Sequence, residues 1–134
     1  MDGPDHHGDG LPPIAASLHE LKILVRRDLA FTDYPAHPWV PARHHHGRRV
    51  LDVAIIGGGQ GGLATAFGLM REKITKIEVF DRAAPGQEGP WVTFARMLTL
   101  RTPKHVTGPD LGLPSLTPRA WYEAKFGRAA WATL

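Results

Sequence analysis

The 134-residue sequence contains no cysteine. That absence excludes a disulfide scaffold, thiolate metal sites, Fe–S clusters and CxxC redox centres. No apolar run approaches the roughly 18 residues that a membrane-spanning helix requires. The first 13 residues, MDGPDHHGDGLPP, have neither a basic start nor an apolar block, so they do not read as a secretory signal. Acidic side chains are missing between Glu88 and Asp110, where Arg96, Arg101 and Lys104 are the charged residues. Such a stretch is either a solvated face or an anion contact, and three charges are too few for a nucleic-acid binder. These absences leave the expectation of a soluble, cytoplasmic protein with no nucleic-acid and no membrane partner.

What is present is ordinary in bulk. Hydrophobic residues make up 43% and charged residues 22%, near the globular average, so the chain is not wholly disordered. Its length fits one small domain or a piece of a larger one. Residues 1–13 read as a disordered leader, rich in turn formers. Residues 14–49 read as a helix followed by a Pro/His-rich connector. The helix is expected over about 17–29: Ser17 and Glu20 form a capping box, and Leu18, Leu21, Leu24, Val25 and Leu29 recur at helical spacing. Residues 33–49 carry three prolines and the triplet His44-His45-His46. Adjacent histidines do not face one another, and no carboxylate or fourth histidine sits at ligand spacing, so the expectation is a solvated loop and no metal site.

From residue 50 the pattern becomes specific. Val50 to Ile56 is a short, β-branched, mostly apolar run, as a buried parallel strand requires. It ends in Gly57-Gly58-Gly59-Gln60-Gly61-Gly62. Leu63, Ala66, Phe67, Leu69 and Met70 then recur at helical spacing, and Lys76–Phe80 is a second strand closed by Asp81. Strand, glycine turn, helix, strand and acid together are half of a Rossmann-like, doubly wound α/β sheet.

The turn satisfies GxGxxG at Gly57, Gly59 and Gly62, and each glycine has its own physical duty. Gly57 permits the tight turn, Gly59 leaves the backbone open to a pyrophosphate, and Gly62 lets the helix lie close on the strand. The first helical amides and the positive end of the dipole then meet the diphosphate. Asp81 falls 19 residues after Gly62, where its carboxylate can accept from ribose hydroxyls. An acid there repels a 2′-phosphate, so the expected nucleotide is FAD or NAD rather than NADP. No Lys-Ser or Lys-Thr follows the glycines, which excludes a Walker phosphate loop.

Spacing alone does not choose between FAD and NAD. The segment that follows, residues 81–126, is long, Gly/Pro-rich and dotted with aromatic and basic residues, instead of returning promptly to a third strand. Long loops of that kind in compact domains are usually functional. VAIIGGGQGGLATAFGL, VFDR, GQEGPW and TLRTPKHVTGPDLGLPSL resemble the FAD-binding half of flavin-containing monooxygenases and their N-hydroxylating and Baeyer–Villiger relatives, over about residues 48–127. The resemblance implies FAD as cofactor, NAD(P)H as co-substrate and a small-molecule substrate. It implies that Gly57, Gly59, Gly61 and Gly62 cradle the FAD diphosphate and that Asp81, followed by Arg82, meets the adenosine ribose. It places Trp91 along the flavin, and Arg101, Thr102 and Lys104 near the isoalloxazine. The chain departs from the Gly-Gly-x-Trp pattern of these enzymes, having Glu88-Gly89-Pro90-Trp91. His105 is weighed as a proton shuttle against plain polar surface, and no catalytic residue is assigned.

A last helix is expected over 117–127, with Thr117 as cap, Pro118 at its first position, Gly127 after its end, and Ala120, Trp121, Ala124 and Phe126 on its apolar side. No second glycine motif for NADPH follows, and the later strands of a flavin-binding sheet are missing. The expectation is therefore an N-terminal, truncated FAD/NAD(P)-binding portion, residues 50–134, behind a helical extension, and inactive alone. Another reductase or dehydrogenase using the same motif, or a non-catalytic nucleotide-binding module, remains open.

Overall fold

A computed structural model describes residues 11–90, 93–95, 98 and 102–134. The chain is a small α/β protein of two compact units, one from residues 1–32 with 102–134 and the other from 33–101.

In the first unit, helix α1 spans Leu18–Phe31. Ser17 caps it, accepting from the Glu20 amide at 3.2 Å, while Glu20 Oε2 reaches back to the Ala16 amide at 2.9 Å. The box is thus built as the spacing predicts, except that the glutamate takes the amide one residue before the cap. Helix α1 packs on α3 (Pro118–Phe126), whose cap is Thr117, accepting from the Ala120 amide at 3.1 Å. Gly127 ends it at φ 87°, and α4 (Arg128–Thr133) follows. Ala15, Leu21, Ala120 and Ala124 form the core of this unit, with Leu24 and Val25 against it. Alanines on α3 let the two helices approach closely.

Two residues expected on the apolar side of α3 lie outside it. Trp121 is 47% and Phe126 51% exposed. They meet edge to face at 5.9 Å, with Lys125 Nζ 4.7 Å from the Trp121 ring and 4.9 Å from the Phe126 ring. The inward positions are Ala120, Glu123 and Ala124, three and four apart as one helical face demands. Glu123 is tolerated there because Arg119 Nε donates to its Oε1 at 2.7 Å. A buried carboxylate without such a partner is strongly destabilising.

In the second unit the connector is not a plain loop. His44–His45 (β1) and Arg48–Arg49 (β2) pair antiparallel, with His45 opposite Arg48. His46 and Gly47 turn the chain at φ 48° and 74°, the signature of a two-residue hairpin turn. All four strand residues are exposed, so the backbone ladder and the turn hold this hairpin, with Arg49 paired to Asp52 at 3.2 Å. Among the described residues no three histidine or acidic side chains group as metal ligands.

The central element is a β–α–β unit. Strand β3 (Val53–Ile56) runs parallel to β4 (Ile77–Phe80), pairing Val53 with Ile77 and Ile56 with Phe80. The ladder extends past both ends through Asp52 N to Lys76 O and Gly57 N to Phe80 O, each 2.7 Å. Helix α2 (Gln60–Arg71) crosses between them and packs on both strands, with Ile55 of β3 and Ala66 of α2 buried. A parallel pair cannot be joined by a tight turn, so this connection is what such a sheet requires. Trp39 Nε1 donates to the Glu72 carbonyl at 2.9 Å, and Lys73 Nζ pairs with Asp33 at 2.6 Å. Both fasten the segment before the hairpin to the C-terminal end of α2. No helix among the described residues is long and apolar enough to cross a membrane.

Candidate functional site

The site is built where β3 ends and α2 begins. Gly57 leaves the strand at φ 109°, a conformation that side chains with a Cβ avoid. Gly62 sits one helical turn in, where an added Cβ would overlap the Gly57 carbonyl oxygen. That contact sets the closeness of helix to strand. Gly59 is the N-cap, with extended backbone and no side chain to occupy the helix end. Leu63 N bonds to Gly59 O at 3.0 Å, so the intrahelical ladder begins there. The amides of Gln60, Gly61 and Gly62 precede it and have no carbonyl within the helix to meet. They are donors for an anion. At Gly61 an added Cβ would meet nothing within 4 Å, so no packing within the chain demands glycine there.

Asp81 stands at the end of β4, as the spacing predicts, and takes part in the turn itself. Its Oδ2 accepts from the Gly58 amide at 2.6 Å and its Oδ1 from the Ala83 amide at 2.7 Å. The Ala83 and Gly58 amides, with the Arg82 guanidinium nearby, hold the Asp81 carboxyl below the usual carboxylate range. The folded state therefore binds this proton more weakly than the unfolded chain does. The resulting stability is fully present above the unfolded carboxylate value of about 3.9, and it is lost as the pH falls through the lowered folded value. Asp81→Asn is accordingly expected to lower the melting temperature most near neutral pH. The gap to the wild type should close as acid protonates Asp81. Parallel melting curves of the two proteins from neutral pH downward check this, and a gap that does not change with pH would refute it.

A cleft of about 640 Å³ opens at the glycine turn, lined by Gly58, Gly59, Gln60, Leu63, Val79, Asp81, Ala83, Pro85 and Glu88. Its volume lies within the range of small-molecule and cofactor sites. The far wall is the loop after β4. Gly86 and Gly89 take φ 84° and 75° in that loop, and Glu88 Oε2 accepts from the Gly86 amide at 2.8 Å. Gly89 Cα would lie 3.4 Å from a Cβ on Gly59, so this loop lies directly against the turn. Of the residues lining the cleft, the expectation from sequence omitted Gly58, Gln60, Leu63, Val79, Ala83, Pro85 and Glu88. The only signal for the last was its departure from the Gly-Gly-x-Trp pattern.

The structure thus brings Gly57, Gly59, Gly61, Gly62 and Asp81 together, with Arg82 exposed beside Asp81. Thr102 and Lys104 belong to the other unit and are exposed. There Lys104 Nζ donates to the carbonyls of Trp131 at 2.7 Å and Ala132 at 3.2 Å, a cation at the C-terminal end of α4. His105 is exposed. Trp91 and Arg101 lie outside the described residues.

The model of a family described as FAD-NAD(P)-binding matches residues 54–127, more than half of the chain. The chain belongs to the FAD-NAD(P)-binding family. The matched stretch begins within β3 and contains the glycine turn, α2, β4 and Asp81, the parts that form the cleft. Within this FAD-NAD(P)-binding family the chain is similar to the FAD-dependent urate hydroxylase of Xanthomonas campestris pv. campestris. The two are 51% identical over 118 residues, which is 88% of this chain and 25% of that protein. The chain spans about a quarter of the length of the curated relative it matches. The kinship with FAD-dependent oxidoreductases inferred from the motifs is borne out. No solved structure matches the chain.

The residues present fit a dinucleotide. A turn kept free of side chains faces helix amides with no intrahelical acceptor, and a carboxylate held ionised stands at the end of the adjacent strand. The fit is to the ADP half of such a molecule.

Proposed function

We propose that this chain is the ADP-cradling portion of an FAD-dependent, NAD(P)H-using oxidoreductase, a hydroxylating monooxygenase acting on a small oxidised purine such as urate. Its β3–α2–β4 unit would be one half of a Rossmann-like, doubly wound sheet. The observation that carries the reading is the glycine turn: Gly57 and Gly62 hold α2 against β3 and so present its first amides to the cleft. The 51% identity to a FAD-dependent urate hydroxylase supports the substrate class.

In this reading the amides of Gln60, Gly61 and Gly62 donate to the diphosphate, and Gly59 keeps the approach clear. Asp81 holds the turn in shape and offers its remaining lone pairs to the adenosine ribose. Bound FAD would supply two-electron transfer from a nicotinamide donor and the activation of oxygen. The family resemblance alone assigns Trp91, Arg101, Thr102 and Lys104 to the flavin end. The protein's own tasks are then binding, orientation and the exclusion of water.

The test is a calorimetric titration of the chain with FAD and, separately, with ADP. Saturable one-to-one binding of both is expected, with ADP competing for the FAD site. Absence of heat and of flavin fluorescence change up to about 1 mM ligand, a binding energy of only about 4 kcal/mol, would overturn the reading.

A further inference from the structure

Asp81, the acid that spacing assigns to the ribose, has both oxygens engaged by backbone amides, Gly58 on one and Ala83 on the other. A second carboxylate flanks the same turn. Glu88 lines the cleft, half-buried, and its Cγ lies 3.3 Å from the point where a Cβ on Gly58 would stand. Asp81 Oδ2 lies 3.4 Å from that same point. One Glu88 oxygen holds the Gly86 amide at 2.8 Å, and among the described residues its Oε1 has no hydrogen-bond partner. The described residues lining the cleft include these two carboxylates and no cation. Arg82, the nearby cation that would favour a phosphate, is not among them.

We propose that Glu88 is a specificity-determining residue of the nucleotide cleft: with Asp81 it accepts an adenosine ribose bearing free hydroxyls and rejects one carrying a 2′-phosphate. The inference rests on the dinucleotide reading above and assigns the discrimination to a named side chain. Among the described residues one oxygen of Glu88 is left without a partner, as an acceptor for a ribose hydroxyl. The same oxygen repels a phosphate dianion brought beside it. Its bond to Gly86 ties its position to the loop that forms the far wall, so the charge stays at the cleft.

The experiment compares ADP-ribose with 2′-phospho-ADP-ribose, which differ only in that phosphate, by calorimetry on the wild-type chain and on Glu88→Gln. Glutamine removes the charge yet keeps an acceptor oxygen for the Gly86 amide, so the loop is retained. The wild type is expected to prefer ADP-ribose by at least about tenfold, and the variant to lose about tenfold of that preference, mainly through tighter binding of the phosphorylated ligand. A preference unchanged in a folded Glu88→Gln overturns the proposal. If the variant does not fold, the wild type decides by salt: the preference should narrow as ionic strength rises, and a salt-independent ratio overturns the proposal. Failure of both ligands to bind the wild type would overturn the dinucleotide reading itself, an outcome distinct from binding without discrimination by Glu88.

Discussion

Gly62→Ala is expected to destabilise the chain by about 3 kcal/mol, the upper end of what overpacking a well-packed site costs. The added Cβ would overlap the Gly57 carbonyl oxygen and come within 3.0 Å of the Gly57 carbonyl carbon. Both are backbone atoms, so no rotamer change relieves the clash. Ile55 Cγ2 at 3.4 Å closes another direction. Gly57 cannot yield easily either, because its amide bonds to Phe80 O at 2.7 Å and extends the β3–β4 ladder. Relief requires α2 to lift from the strands or the ladder to lose its last rung. Denaturant unfolding followed by far-UV circular dichroism reads the loss. A midpoint equal to that of the wild type would show that the helix and strand are not held at this distance.

Gly59→Val is the complementary case, with a large effect on binding and a small one on folding. Gly59 has extended backbone that any residue adopts, and its nearest neighbour to an added Cβ is Gly89 Cα at 3.4 Å, ordinary contact. Stability should therefore change by less than about 1 kcal/mol. The side chain would nevertheless stand at the cap of α2, in the cleft, between the helix amides and any phosphate. Affinity for ADP is expected to fall about a hundredfold or more, since charge-assisted bonds to several amides are lost at once. Titration of both proteins with ADP measures it. Equal affinities would mean that the phosphate does not sit on this turn. Together the two substitutions separate a glycine that the fold needs from one that a ligand needs.

The β–α–β unit was legible in the sequence as two short apolar runs flanking a helical repeat of apolar positions every three or four residues. The first run is shorter and less buried than expected: β3 begins at Val53, Ile55 is its buried residue, and Ile56 is 84% exposed. Helix ends were legible at Ser17 and Thr117, whose hydroxyls cap as their types suggest. The β1–β2 hairpin was hidden because His44, His45, Arg48 and Arg49 show no apolar alternation and bury nothing. Its sole trace is the His46-Gly47 turn. The inward Glu123 and outward Trp121 contradict hydropathy because Arg119 neutralises the one and Lys125 covers the other. The far wall of the cleft left no periodic pattern, only the GQEGPW segment and its departure from Gly-Gly-x-Trp at Glu88. Ala83, Pro85 and Glu88 reach it by loop geometry set at Gly86 and Gly89, and by the bonds of Asp81 and Glu88 to backbone amides. Those are contacts between residues without periodic order.

One carboxylate ties both sides of the cleft together, since Asp81 bonds to Gly58 in the turn and to Ala83 at the start of the facing loop. The loss of conformational freedom in these two segments thus occurs when the chain folds rather than when a ligand arrives. A nucleotide would meet a cradle already formed, so little of its contact energy would be offset by ordering the protein. Hydrogen exchange would carry the imprint: slow at the amides of Gly58 and Ala83 in the free protein, fast at Gln60 and Gly61 until an anion occupies them.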